Sequence, residues 1–257
     1  MTEKNKNSNY EALAYIYDEV MQDIDYDDWA DYIDELIQEH HPDAVSILEL
    51  ACGTGRLALS LDELDCYDIT ATDRSEAMLN VGRLKADYLK SSIRWEVVDF
   101  FDIRLDETYD VVMTLFDSLN YILEDGKIVD VFKQAYKVLN DGGLFIFDFT
   151  TPAHSEKYAE KMNDQGVTPD NYRFVRRSYY LPAEKLHYNE FDIEKLSADH
   201  GEVLERFREV HRQRAYKLSE MKELIAKTGF EFLEAYDDFD VSEANDNSSR
   251  ITVVLRK

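Results

Sequence analysis

Five short apolar runs lie between residues 45 and 149, several of them apolar on both faces: VSILEL (45–50), DITATD (68–73), IRWEVVDF (93–100), YDVVMTLF (109–116) and GGLFIFDF (142–149). Between them lie stretches with helical spacing, notably 75–90, opening on Ser75 as an N-cap, and 125–139. A strand apolar on both faces must be covered on both sides, and intervening helices supply the cover. The pattern therefore predicts a doubly wound parallel α/β sheet. Upstream, Leu13, Ile16, Tyr17, Val20 and Met21, then Trp29, Tyr32, Ile33, Leu36 and Ile37, recur every three or four residues and predict two amphipathic helices with acidic outer faces. The period changes near residue 170, where NYRFVRRSYYL, KLHYNEFDIEKL and EVLERFREVHRQRAY predict three antiparallel strands. A helix over 218–228, stopped by Gly229, leads to FEFLEAYDDF and SRITVVLRK, a strand pair able to rejoin the main sheet; DVSEANDNSS (240–249) predicts an exposed, mobile loop. Three units result: helices and α/β core over 1–169, an antiparallel β insertion over 170–215 placed as a lid, and a helix and strands over 216–257 completing the core sheet.

Charge narrows the partners. With 54 acidic against 29 basic side chains, the net charge of −25 repels a phosphate backbone, so no nucleic-acid partner is expected. The opening MTEKNKNSNY lacks the apolar stretch of a signal peptide, and no apolar run reaches the ~20 residues of a bilayer span. Cys52 and Cys66 fit neither a metal nor a redox spacing. Together these predict a cytoplasmic protein without membrane contact. The acids between Asp23 and Glu35 read as a solvated face rather than a metal site, and nothing in the pattern fixes an oligomeric state.

The candidate chemistry lies in ILELACGTG (47–55). Gly53-x-Gly55-x-x-Ala58 after a buried strand, with Asp73 at the tip of the next, suits a ligand whose ribose hydroxyls reach a carboxylate, and both NAD and S-adenosylmethionine answer to that. Glu49 separates them: a pyrophosphate at this turn would be repelled by it, whereas a sulfonium and an ammonium are attracted. Asp99 with Phe100, at the third strand's end, suits the amine edge and the face of an adenine.

ILELACGTG, ATDRSEAML and VVDF, in that order, resemble the class I S-adenosylmethionine-dependent methyltransferases, with Ala51 where the family usually has its first glycine. The resemblance implies a seven-stranded Rossmann-like sheet in the order 3-2-1-4-5-7-6, its last strand antiparallel. AYIYDEVM, TLFDSLNYI and VHRQRAYKLSEMKELIAKTGF narrow the likeness to small-molecule methyltransferases, similar to sugar N,N-dimethyltransferases and more distantly to glycine N-methyltransferase. Carried over, it implies that Tyr17, beside Asp18, reaches over the cofactor; that Glu49, Ala51, Gly53, Gly55, Asp73, Arg74, Met78, Asp99, Phe100, Leu115 and Phe116 hold S-adenosylmethionine; and that Asn120 and Tyr121 face a small-molecule acceptor.

In the insertion, Glu190, Asp192 and Glu194 share one strand face, as do Arg206, Arg208, Arg212 and Arg214 on the next strand, which predicts a cross-strand charge ladder. The opposite face, with His187, Asn189, Phe191, Phe207 and His211, is placed to roof the cleft. Arg173, Arg176 and Arg177 are less well balanced by acids, which leaves room for a phosphate-bearing acceptor, with Arg177 the candidate substrate-binding residue. Catalytic candidates are Tyr17, Tyr121, His187 and His211, with His154 a further base were the acceptor a hydroxyl. A neutral amine needs little beyond alignment, so N-methylation is favoured; O-methylation, an NAD(P)-dependent oxidoreductase of similar fold and a non-catalytic binding module are the alternatives.

Overall fold

In the computed structural model, which describes residues 10–239 and 242–257, the chain opens on a 3-10 turn (Leu13–Tyr15) and the single-turn helix α1 (Tyr17–Val20) before α2 (Tyr26–His40). The first expected amphipathic helix is thus broken into two turns. Its backbone N–H groups at Tyr10, Ala12 and Leu13 donate to the Glu209 carboxylate, 196 to 199 residues away, instead of continuing one helix. α2 starts cleanly because Asp25 caps it, accepting from the N–H groups of Asp27 and Asp28.

The alternating part follows as β1 (Ser46–Leu50), α3 (Arg56–Asp62), β2 (Asp68–Asp73), α4 (Glu76–Leu89), β3 (Arg94–Val97), β4 (Tyr109–Thr114), α5 (Asp125–Val138) and β5 (Leu139–Thr150). Ser75 caps α4 as expected, its hydroxyl accepting from Met78 N. After α6 (Pro152–Tyr158) come β6 (Asp164–Val167), β7 (Tyr172–Leu181), β8 (Leu186–Leu196) and β9 (Val203–Arg214), then α7 (Leu218–Ile225), β10 (Glu231–Asp237) and β11 (Arg250–Arg256). The large sheet runs β10-β11-β5-β4-β1-β2-β3, with β11 antiparallel to both neighbours. This is the α/β methyltransferase arrangement that the resemblance implies.

Strand alternation divides the core in two. Leu48, Val112, Phe145, Phe147 and Val253 pack with α5 and α7, while Ile47, Val111, Leu144, Ile146 and Val254 pack with α2 and α3. Each fully buried phenylalanine contributes about 1.5–3 kcal/mol, and Phe145, Phe147 and Phe149 are all at 0% exposure. A separate cluster joins Ala12, Leu13 and Ile16 to Tyr172, Phe174, Phe191 and Ile193, so the N-terminal segment packs against the small sheet.

Three expectations need correction. The small sheet has four strands, β6-β7-β8-β9, beginning at Asp164 rather than near 170, because Asp164–Val167 pairs with β7. α7 ends at Ile225, where Thr228 Oγ1 takes the Ile225 carbonyl, and Gly229 instead makes room for the Tyr136 ring, 3.0 Å from where a Cβ would stand. In the loop expected to be exposed and mobile, Asp240 and Val241 lie outside the described residues, yet Ala244 and Ser248 are buried and bonded to Ala235 and Thr151. No helix among the described residues is long and apolar enough to cross a membrane.

Candidate functional site

β1 ends in a turn whose Ala51, Gly53 and Gly55 all have positive φ, at 56°, 57° and 68°. Gly53 N donates to Asp73 Oδ2 (3.0 Å) and Ser75 N to Asp73 Oδ1 (2.7 Å), so the tip of β2 and the turn hold each other in place. The two glycines do different work. A Cβ at Gly53 would meet only the Tyr17 ring, at 3.7 Å, and Gly53 lines an open cavity; a Cβ at Gly55 would stand 2.2 Å from Trp95 Cη2. Gly55, expected against the cofactor, instead admits a tryptophan.

Two residues before the turn, Glu49 is 2% exposed and its Oε2 has no hydrogen-bond partner. Burial, with Asp73 beside it, pushes its carboxyl up to about 8. An unsatisfied buried carboxylate next to a second acid is costly unless a cation answers it. The environment fits the cationic donor that the resemblance implies and repels a pyrophosphate.

The cavity, of about 270 Å³, begins at Ala51, Gly53, Asp73, Arg74 and Met78 and continues past Asp99 and Phe100. Phe116, Tyr121, Val210 and Arg212 also line it, as do Tyr10 and Tyr17 from the N-terminal segment. Asp18 fixes that segment over the turn: it accepts from Thr54 Oγ1 (2.6 Å) and pairs with Lys85 (2.8 Å).

Other expected residues are placed elsewhere. Leu115 is buried among α2 and α3 side chains and only its neighbour Phe116 reaches the cavity. Asn120 is fully buried, its amide donating to the carbonyls of Thr150 (2.8 Å) and Arg214 (2.7 Å) while its oxygen accepts from Thr150 N, so it ties strands together and offers nothing to an acceptor. His187 lies between Ser155 Oγ (3.1 Å) and Ser178 Oγ (2.8 Å), both ring nitrogens engaged and its pKa lowered by burial. Burial takes His154 down to about 4, beside Ser249 and away from the cavity.

The arginines redistribute as well. Arg173 and Arg177, expected to lack acids, pair with Glu194 (Nε–O 2.8 Å) and Asp192 (2.8 Å), and Arg176 lies 3.9 Å from Asp164. Arg177 therefore belongs to the outer face of the small sheet and not to the acceptor. The charge ladder holds at Arg206 with Glu194 and Arg208 with Glu190. It stops there because Arg212 and Arg214 face Tyr188 and Leu186 in register; Arg214 turns to Asp125, and Arg212 lines the cavity.

His211 is the histidine that reaches the site. Its Nε2 is 3.1 Å from Glu209 Oε2 and its Nδ1 is 3.2 Å from the Tyr121 hydroxyl, to which the Tyr10 hydroxyl donates. Glu209 also accepts from the N–H groups of Tyr10 (2.8 Å), Ala12 (2.7 Å) and Leu13 (3.1 Å). Burial alone would raise its carboxyl, but His211 and those N–H groups outweigh burial and hold it below the usual range. Glu209 and Tyr10 are absent from the expected set. Glu209-x-His211 has the two-residue spacing of one strand face, which marks the pair, whereas no pattern links Tyr10 to it.

Just beyond β4, Phe116 and Asp117 take successive left-handed conformations, φ 56° and 52°. Asp117 is held from three sides: its N–H donates to Asp148 (2.8 Å), Arg250 pairs with it (2.8 Å), and Gln213 of β9 donates to it. Such strain persists where the surroundings over-determine it, and here it presents Phe116 to the cavity.

Residues 47–143 match a family described as a methyltransferase domain. A putative methyltransferase of Geobacillus sp. is 28% identical over 250 residues, covering 96% of this chain and 99% of its own. The crystal structure of an S-adenosylmethionine-dependent methyltransferase from Clostridium acetobutylicum is similar with a TM-score of 0.78 and 25% identity, covering 97% of this chain and 99% of its own. The sugar N-methyltransferase KedS8 from Streptoalloteichus shares the fold at a TM-score of 0.75 and 20% identity, covering 100% and 99%.

Proposed function

The chain belongs to the class I S-adenosylmethionine-dependent methyltransferases, and from that premise we propose that it methylates an amine nitrogen of a small molecule. The bound donor supplies a methyl group already activated on a sulfonium sulfur. The chain contributes placement. Asp73 lines the cavity with both oxygens steadied by backbone N–H groups and takes the ribose hydroxyls; Gly53 leaves the turn open to close approach. Asp99 and Phe100 take the adenine, Tyr17 covers the donor, and Glu49 draws its ammonium. Alignment of this kind, with water excluded, can supply ~7–11 kcal/mol of a displacement barrier.

The observation that carries the amine reading is the aromatic lining that Tyr10, Tyr17, Phe116 and Tyr121 give the cavity. Ring faces favour a cation by about 0.5–2 kcal/mol, and an amine nitrogen becomes cationic as its new bond forms. The net charge of −25 raises the local concentration of a cationic amine and opposes an anionic one. The fold shared with a sugar N-methyltransferase supports the same choice. We place the enzyme in the cytoplasm, a reading supported by Cys52 and Cys66 being free thiols.

The test is transfer of a labelled methyl group from S-adenosylmethionine into a metabolite extract separated into cationic, neutral and anionic pools. A cationic product labelled on nitrogen is expected; label on oxygen alone, or none in any pool, overturns the reading.

A further inference from the structure

Hydrogen-bond direction around His211 is determined by its neighbours. The Glu209 carboxylate, 5% exposed and accepting from three backbone N–H groups, has only acceptor capacity toward the ring, so His211 Nε2 carries the proton. In the neutral ring Nδ1 is then an acceptor, and Tyr121 must donate to it. Tyr10 in turn donates to the Tyr121 oxygen, so the hydroxyls run one way: Tyr10 to Tyr121 to His211 to Glu209. Tyr121 has no proton left for a ligand and meets the cavity as an acceptor. His211 is 1% exposed, enclosed by the edges of the Tyr10, Tyr121 and Phe191 rings, with centroids at 4.7, 5.9 and 5.6 Å. Solvent does not reach it directly.

We propose that Tyr121, His211 and Glu209 form a proton relay that takes the proton from the acceptor's nucleophilic atom. The inference rests on the reading of this cavity as the methyl-transfer site. The acceptor enters as its ammonium, whose N–H proton passes to the Tyr121 oxygen as the Tyr121 proton passes to His211 Nδ1, leaving a neutral amine. The resulting imidazolium is paired with Glu209, and the freed nitrogen lone pair forms the new C–N bond while the C–S bond breaks with its electron pair staying on sulfur. The proton returns to solvent when the product leaves. Tyr121 is the catalytic residue because it meets the acceptor; His211, Glu209 and Tyr10 are positioning residues that set its direction. The ionisable groups facing the relay are Tyr10 and Tyr17 from the N-terminal segment, Asp117 from the loop after β4, and Arg74 from the loop after β2. Amine methylation without such a path would leave a protonated amine inert, since an ammonium has no lone pair to give.

Two measurements test it, and the first needs no acceptor. In protein labelled with ¹⁵N-histidine, the His211 ring should carry its proton on Nε2, keep that form in Tyr121→Phe, and lose the preference in Glu209→Gln. A wild-type His211 protonated on Nδ1, or a Glu209→Gln ring unchanged from wild type, overturns the relay whatever the acceptor. The second is labelled-methyl transfer to a panel of primary and secondary alkylamines. Tyr121→Phe should lower kcat about 100-fold, the lower end of general-base catalysis, with KM and S-adenosylmethionine binding within about two-fold of wild type. An unchanged kcat overturns the relay. If wild type methylates no amine while the histidine signals behave as expected, the amine reading falls and the hydrogen-bond order that defines the relay stands.

Discussion

Glu49 and Glu209 are both buried carboxylates, at 2% and 5% exposure, one on the parallel sheet and one on the small sheet, and their surroundings treat them oppositely. Glu209, on the small sheet, receives three backbone N–H groups and an imidazole N–H, which hold its carboxyl below the usual range despite burial. Glu49, on the parallel sheet, has an oxygen with no donor at all, and burial with Asp73 nearby pushes it up to about 8. Burial does not decide the state of a carboxylate; the completeness of its hydrogen bonding does. A complete set marks a part of the framework, here one that ties the N-terminal segment to β9. An incomplete set leaves the carboxyl protonated and its cost unrelieved within the protein.

The largest expected effect follows from removing the satisfied acid. Glu209→Ala leaves an imidazole N–H and three backbone N–H groups without their acceptor and should destabilise the protein by about 3–5 kcal/mol, the usual loss when one partner of a buried charged network is deleted. Urea unfolding measures it. A loss below about 1 kcal/mol would mean that the N-terminal segment is anchored by its apolar contacts alone. Asp73→Ala comes next, because Asp73 both faces the cavity and braces the turn through Gly53 and Ser75. Losing two hydrogen bonds to a charged group, each about 1.5–3 kcal/mol, should weaken S-adenosylmethionine binding about 100-fold or more by calorimetry. Unchanged affinity would remove Asp73 from the donor site.

Glu49 tests the other half of the contrast through pH. The folded chain holds its proton to about pH 8, whereas the unfolded chain releases it near 4.5, so the folded state binds more protons across that window and stability falls as pH rises through it. The slope is at most about 1.4 kcal/mol per pH unit. Glu49→Gln should therefore gain about 2 kcal/mol over wild type on going from pH 6 to pH 8, and should lose the tightening of S-adenosylmethionine binding that a newly ionised carboxylate gives wild type over the same range. Parallel stability curves for the two proteins would show that Glu49 does not titrate there.

The contrast also explains what was legible beforehand. Strands apolar on both faces can only be sandwiched, so a doubly wound parallel core was readable from local runs such as YDVVMTLF and GGLFIFDF, whereas the strand order and the antiparallel last strand followed only from the family resemblance. That Gly53, Asp73 and Asp99 line one cavity was readable for a similar reason, since they sit at strand tips that a parallel sheet brings together. Strand period says which side chains share a face but not what packs against that face. Hence His187 and His211 looked alike, although one lies between two serines and the other meets Glu209 and Tyr121. Tyr10 was hidden because its partners are 111 and 199 residues away. Gly55 kept the family spacing while its space is taken by Trp95, a contact between the turn and β3 that spacing does not encode.

The smallest effect concerns Ala51, at the edge of the turn above Glu49. Its φ of 56° places a Cβ-bearing residue in the left-handed region, at a cost of about 1–2 kcal/mol for an L-residue. Ala51→Gly removes that cost but makes the unfolded chain freer by about 0.5–1 kcal/mol. The balance predicts a gain of about 0.5–1 kcal/mol, read as a higher Tm for the ligand-free protein. If the turn serves only to present backbone to the donor, S-adenosylmethionine affinity should stay within about two-fold. A stabilised variant that binds the donor distinctly more weakly would instead show that the Ala51 methyl group contacts it, and that part of the selectivity for the donor comes from packing at the turn as well as from the unpartnered oxygen of Glu49.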